Sequence, residues 1–431
     1  MREAGHRAYL VGGAVRDLLM DRTPHDVDIV TDARPEQIDR LFPRTIHVGA
    51  AFGVVLVPAA DGVYDVATFR REGPYLDGRH PAFVEFASLE EDIRRRDFTI
   101  NALLYDPLDG AVVDLVGGRE DLAARRIRTV GDPEERFAED RLRLLRAIRL
   151  AAELGFTIED ATFAAIRRLA PQITQVSAER IRDELLRLLA SPGRAEGLEH
   201  LRTTGLLAAI LPEVSAMVGV EQPPEFHPEG DVFTHTRLAL VHLQHPSPLL
   251  ALAVLLHDVG KPVTFERGPD RIRFHGHDHV GAEIAEQVCR RLRLSGEETD
   301  RVVTLVADHE RFWTVPQMRP ARAKRFLARA DFADLLELCR VDVRAMDGDL
   351  SRWEEIRGAR VRLTAEEERP PRLITGDDLI ARGYRPGPRF REILDAVLDA
   401  QLEGRVRTRD EALALVAREF PQESSEGSRN R

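Results

Sequence analysis

The sequence predicts an α/β head followed by a long all-α remainder. Residues 1 to about 125 alternate short β-branched runs with turns, whereas from about 133 the apolar spacing is helical and strand signals almost vanish. A candidate strand at 8–11 also runs straight into Gly12-Gly13 and then a helix-forming stretch, 14–20.

That first stretch sets the chemistry of the head. Gly12-Gly13 makes a turn that only glycine fits easily, and the following helix start can cradle phosphate oxygens with backbone N–H groups. Arg16 lies in the first helical turn, within reach of the same anion. Asp26 and Asp28 alternate on a candidate strand over 27–31, so a period of two puts both carboxylates on one face. Two like charges held side by side call for a cation between them, which reads as a divalent-metal site facing a nucleoside triphosphate. Asp65, on a further candidate strand over 64–68, is a third candidate carboxylate. Strands are also expected at 54–58 and 84–86, and helices at 16–20, 35–41 and 101–104. Arg94-Arg95-Arg96-Asp97 and Asn101 offer forked donors for phosphate and polar partners for ribose hydroxyls.

The chain has 431 residues, 43% hydrophobic and 31% charged, which fits a globular protein of about three domains. No run of about 18 apolar residues and no signal-peptide core is found, so neither a membrane nor secretion is expected and the location reads as cytoplasmic. With only Cys289 and Cys339, a disulfide framework or thiolate zinc cluster is excluded. A net charge of −11 argues weakly against indiscriminate nucleic-acid coating, although arginine-rich stretches such as 141–149 and 319–329 provide local basic faces. Composition shifts place a head over 1–130, a helical neck over 131–222, a histidine-rich helical domain over 223–352, a helical tail over 353–421 and a disordered end over 422–431. Oligomeric state is not legible.

In the neck, one helix is expected over 133–154. Asp140 and Arg143, three apart, would share a face, and Glu139 can pair with Arg143. An Asp acceptor beside forked Arg donors suits the Watson–Crick edges of cytosine and adenine and leaves uracil and guanine with unpaired groups.

Gly12-Gly13-Ala14-Val15-Arg16-Asp17, Asp26-Val27-Asp28 and Arg95-Arg96-Asp97-Phe98-Thr99-Ile100-Asn101-Ala102 strongly resemble the class II tRNA nucleotidyltransferases. That family includes the CCA-adding enzymes and bacterial poly(A) polymerases. The resemblance implies a head of the DNA polymerase beta nucleotidyltransferase type. Asp26 and Asp28 would be Mg²⁺ ligands, with Asp65 as a third catalytic carboxylate. Gly12, Gly13, Arg16, Arg96, Asp97, Asn101 and Arg146 would bind nucleotide, and Asp140 and Arg143 would select its base. Residues 75–81, with Gly78 and Arg79, look like the family's flexible loop. The stretch 179–185 resembles the next helical motif and reads as structural support. In the tail, Thr375 or Asp377 is expected to cap a helix.

Nine of the 14 histidines fall between His227 and His309. His257-Asp258 closes an apolar helix over 249–256, and adjacent His and Asp suit a hard or borderline metal. The pattern resembles the HD superfamily of metal-dependent phosphohydrolases. By that resemblance His235, His257, Asp258, His277, His309 and Asp342 would bind one or two unidentified divalent metals, with Lys261 near phosphate. His277 competes for its place with His275 and His279.

The combined expectation is template-independent addition of C, C and A to the 3′ end of tRNA from CTP and ATP, by two-metal nucleotidyl transfer. An A-adding enzyme or a poly(A) polymerase shares these motifs. A hydrolytic HD enzyme with a nucleotide-sensing head is the alternative from another class.

Overall fold

The computed structural model describes residues 1–24, 26–47, 53–73, 83–225, 227–244, 246–364 and 370–422. The expected flexible loop over 75–81 and the end of the chain from 423 lie outside the described residues.

Among the described residues the head has nine strands: β1 (Ala8–Val11), β2 (Asp28–Thr31), β3 (Ile46–His47), β4 (Val54–Pro58), β5 (Val63–Thr68), β6 (Arg70–Glu72), β7 (Val84–Phe86), β8 (Leu104–Asp106) and β9 (Ala111–Val113). Seven of them form one sheet in the order β3-β4-β5-β2-β1-β8-β9, while β6 and β7 make a separate antiparallel pair. The β2–β5 contact is parallel and the others in the large sheet are antiparallel. Two apolar clusters cover the sheet. Val11, Val30, Phe69, Leu89, Ile93 and Leu104 belong to one, and Ile38, Val55, Val57 and Val66 to the other. Strand alternation places Asp28 on the face of Val30, so the core buried by that strand orients the carboxylate as well.

Three sequence expectations change here. β2 begins at Asp28, and Asp26 lies in the bend before it, so the two aspartates are not on one strand. The expected helix over 101–104 is a single 3₁₀ turn, Thr99–Asn101, followed by β8. Pairing of Leu104 and Tyr105 with β1 outweighs the local helical signal. The expected neck helix over 133–154 is two helices, Pro133–Glu139 and Leu142–Leu154, broken at Asp140 with φ −139° and ψ 108°. The Asp140 carboxylate accepts the Leu142 N–H at 3.1 Å, the capping use to which aspartate is better suited than a helix interior.

The Thr99–Asn101 turn is clamped from behind by the short helix Gly118–Ala123. Asp114 starts that helix by accepting the N–H groups of Val116, Gly117 and Gly118 at 3.1, 2.9 and 3.0 Å. The buried Asp121 then accepts the Thr99 hydroxyl at 2.6 Å and the Arg128 guanidinium at 2.8 Å. Behind the head, one apolar cluster runs unbroken from Phe98 to Ile356, and the tail has its own, from Ile374 to Val416. In the tail, Thr375 is the N-cap of Gly376–Ala381, and Asp378 closes the capping box by accepting the Thr375 N–H at 2.7 Å.

A Cβ at Gly118 would stand 2.3 Å from the Thr99 carbonyl oxygen. Gly118→Ala is therefore expected to cost about 1–3 kcal/mol, read as a lower first unfolding transition in calorimetry. An unchanged transition would show that the turn can move without loss.

Candidate functional sites

The head site forms where β1, β2 and β5 come together. The parallel register sets Asp28 directly opposite Asp65, and Val11 opposite Asp28 across β1. Asp65, found by sequence only as a lone strand carboxylate, is thus the lateral neighbour of Asp28. Partial burial raises the Asp28 carboxyl above its usual range; Asp65 and Asp26 push it the same way, and Arg96 opposes them. A carboxylate whose charge is disfavoured by two neighbouring aspartates is one that a divalent cation relieves, so the residue types at Asp28, Asp65 and Asp26 suit a divalent cation.

Gly12, at φ +75°, begins the helix Gly13–Leu19, and a Cβ there would touch Asp28 Oδ2 at 3.7 Å. The positive φ favours glycine and brings the backbone turn against the carboxylates. From this turn a chain of polar contacts crosses to the neck. Arg16 donates to Asn101 Oδ1 at 3.0 Å, and Asn101 donates to Asp97 Oδ1 at 3.4 Å. Arg146 then donates to Asp97 Oδ2 at 3.2 Å and to Glu184 at 3.3 Å. Burial disfavours the Asp97 carboxylate, but Arg146 and Arg143 outweigh it and hold the group below its usual range. Arg96 pairs with the buried Asp92 at 3.0 Å, while its buried Nε has no hydrogen-bond partner among the described residues.

The expected Asp140/Arg143 pair is not formed by helical spacing, because the helix breaks between them. Asp140 is gripped by both ends of the Arg180 guanidinium, at 2.7 and 3.2 Å. Arg143 pairs with Glu139, as the spacing suggested, and also donates to the carbonyls of Arg136 and Arg95 at 2.9 and 3.2 Å. Sequence reasoning missed Arg180 and Glu184, both on the helix Ala178–Ala190 that it read as support. Their signal was an Arg and a Glu four apart on an amphipathic helix, a common surface pattern.

The second site lies in the helical body and brings all six expected ligands together. His235 lies in Val232–His242, His257 ends Pro248–Leu256, His277 starts His277–Arg291, His309 lies in Gly296–Phe312 and Asp342 in Phe332–Ala345. His235, His257 and Asp342 form one group able to hold a metal, and Asp258, His277 and His309 another. His279 is exposed, so His277 takes the place left open among its neighbours. Three rings are held alike: the Nδ1–H groups of His257, His277 and His309 donate to the carbonyls of Val254, Phe274 and Val306.

This leaves three Nε2 atoms facing inward. His277 Nε2 and His309 Nε2 stand 3.2 Å apart, and buried His257 Nε2, 3.3 Å from Asp258 Oδ2, has no hydrogen-bond partner among the described residues. With both Nδ1 atoms donating to carbonyls, Nε2 of His277 and Nε2 of His309 would oppose lone pair to lone pair, a contact that a shared cation relieves. The donor set therefore fits a divalent metal. Without one, burial disfavours the His257 imidazolium, but Asp258 and Asp342 outweigh it and raise the group to about 10. Sequence reasoning missed Glu229, whose Oε1 accepts the Nδ1–H of His235 at 2.7 Å and that of His227 at 2.9 Å. It sits among Pro223, Pro224 and Pro228, just past the 222/223 boundary between neck and histidine-rich domain.

Comparison with known proteins agrees with this architecture. Residues 8–128 match the poly A polymerase head domain family, residues 155–217 the family described as a probable RNA and SrmB-binding site of polymerase A, and residues 198–336 the HD domain family. The chain is 48% identical over 219 residues to the CCA-adding enzyme of Geobacillus kaustophilus and 49% identical over 205 residues to that of Bacillus subtilis. Those matches cover 51% and 47% of this chain and span about half the length of each relative, 54% and 51%. The structure of the Bacillus stearothermophilus CCA-adding enzyme in complex with CTP superposes with a TM-score of 0.73 at 30% identity, covering 97% of this chain and 94% of that one. The CC-adding tRNA nucleotidyltransferase of Thermus thermophilus is 38% identical over 427 residues, 95% of this chain and 93% of that protein. On that near-full-length identity, together with the shared fold, the chain belongs to the tRNA nucleotidyltransferase family.

Proposed function

We propose that this protein adds C, C and A to the 3′ end of tRNA, with CTP and ATP as nucleotide substrates. The observation that carries the reading is the continuous contact path from the Gly12 turn beside Asp28 and Asp65, through Arg16, Asn101 and Asp97, to Arg146 in the neck. Asp26, Asp28 and Asp65 hold divalent ions, with Mg²⁺ the proposed metal. When bound, the ions neutralise charge on the attacking and departing oxygens. Gly12, Gly13, Arg16 and Arg96 bind the triphosphate, and Asp97 and Asn101 orient the ribose through its hydroxyls. Asp140 accepts from the exocyclic amine of cytosine or adenine while Arg143 donates to the adjacent ring nitrogen. Arg180 positions Asp140 for that contact. The helical body and tail hold the RNA by shape and backbone.

In the body, we propose that His235, His257, Asp258, His277, His309 and Asp342 hold one or two divalent metals for phosphoester hydrolysis. Glu229 fixes the His235 tautomer. No helix among the described residues is long and apolar enough to cross a membrane, and a cytoplasmic location is proposed.

A second reading, addition of C and C only, is favoured by one observation: the relative aligned over 95% of this chain is a CC-adding enzyme. Purified protein incubated with tRNA ending before CCA, after C, or after CC, and one labelled nucleotide at a time, separates the two. The primary reading predicts C on the first two substrates and A on the third. C on the first two with no A on the third would establish the second reading instead, and A alone would mark an A-adding enzyme.

Joint replacement Asp28→Asn and Asp65→Asn is expected to lower incorporation by at least about 100-fold, with tRNA affinity in a filter-binding assay unchanged. Arg180→Ala is expected to lower the ratio of CTP to UTP incorporation by about tenfold, since the base-facing carboxylate loses its clamp. A proportional loss with both nucleotides would make Arg180 a merely structural residue. His257→Ala with Asp258→Ala is expected to abolish metal retained in the body, measured by elemental analysis, while labelled-nucleotide incorporation persists.

A further inference from the structure

Asp258 faces two ways. Its Oδ1 lies 3.5 Å from His277 Nε2, and its Oδ2 lies 2.8 Å from Lys261 Nζ. Lys261 is itself almost enclosed, at 7% exposure, with the Phe274 ring 5.4 Å from its ammonium. It donates a proton to Gln222 Oε1 at 2.8 Å. An ammonium has three N–H donors, so at least one remains beside the Gln222 bond and the Asp258 ion pair.

The Lys261 contact also fixes the Gln222 amide. The oxygen must face the ammonium, because the flipped amide would set its own N–H groups against another donor. Gln222 Nε2 is then left as a donor, at a residue only 3% exposed, with no partner among the described residues. A buried amide donor without an acceptor is unfavourable. A water, with two lone pairs, could accept from that donor and from Lys261 together. A phosphoryl group would do so with two anionic oxygens, which an ammonium binds more strongly than a neutral water, beside the carboxylate shared with the imidazole cluster.

We propose that Gln222 Nε2 and Lys261 Nζ form an oxyanion subsite that holds the non-bridging oxygens of a phosphoester against the HD cluster. The inference rests on the metal-dependent hydrolytic reading of that cluster. It assigns Gln222, the last residue of the neck and the one before Pro223-Pro224, to substrate binding. The ligand class is a terminal phosphate group, and inorganic phosphate, the product of its hydrolysis, carries the same oxygens.

Equilibrium dialysis of labelled inorganic phosphate against the manganese-loaded full chain tests this, with bound metal measured in the same samples. Gln222→Leu removes the donor at similar volume, and Gln222→Glu replaces it with an acceptor at nearly the same shape. Both are expected to weaken phosphate binding by at least about tenfold while metal content stays at the wild-type level. Unchanged phosphate affinity in both variants, with metal retained, would overturn the subsite and leave the metal centre standing. Phosphate binding that depends on Gln222 in a protein retaining no metal would support the subsite and overturn the hydrolytic reading. Absence of both metal and phosphate from the wild-type protein would overturn both.

Discussion

Asp97 gives one carboxylate oxygen to each side of the junction between head and neck. Its Oδ1 accepts the Phe98 N–H at 2.7 Å and reaches Asn101, while Oδ2 is held by Arg146 from the neck. Buried ionic networks of this kind add little net stability, because desolvation offsets most of the attraction. Their value is geometric, since each fork of an arginine accepts a carboxylate in few orientations. Nearly every proposed nucleotide contact is referred to this junction. Arg16 reaches it through Asn101, and Arg143 meets it through the Arg95 carbonyl. Glu184 holds both Arg146 and Arg149 from behind. The helix Ala178–Ala190 therefore acts as a bar against which the base-facing side chains are set.

The body site follows another rule. Instead of arginine forks, it uses helix carbonyls to point imidazoles. His257 and His309 each donate to the carbonyl three residues earlier, at or near a helix end, and His277 does the same to Phe274 just before its helix. Such a bond selects the tautomer and rotates the remaining nitrogen inward. Close packing supports the arrangement: a Cβ at Gly260 would stand 2.2 Å from the His277 carbonyl oxygen, so the turn after Asp258 sits directly on the start of the His277 helix. The two centres thus share a chain without sharing a ligand, and the apolar cluster around the body site reaches the head through buried Phe98, Ile100 and Ile127.

Much of both sites was legible in the residues. Gly12-Gly13, the paired carboxylates and the histidine cluster identify themselves by residue type, because few structural roles require those groups together. Partners were less legible. Asp140 and Arg143 look like neighbours at a spacing of three, yet that spacing means proximity only inside an unbroken helix, and aspartate at 140 prefers to cap the next one. Asp26 and Asp28 likewise look like strand alternates, but the strand starts at Asp28.

By itself the sequence determined the order of the domains, the type of nearly every long element and the identity of the proposed metal-binding side chains, since these follow from local periodicity and side-chain chemistry. Tertiary structure alone decided that Asp65 stands beside Asp28, that Arg180 rather than Arg143 grips Asp140, and that Gln222 reaches Lys261. The first depends on a parallel register between strands that are not adjacent in sequence. The other two depend on how remote segments pack. Local propensity carries no information about either, because each is fixed by burial of an apolar face somewhere else in the chain.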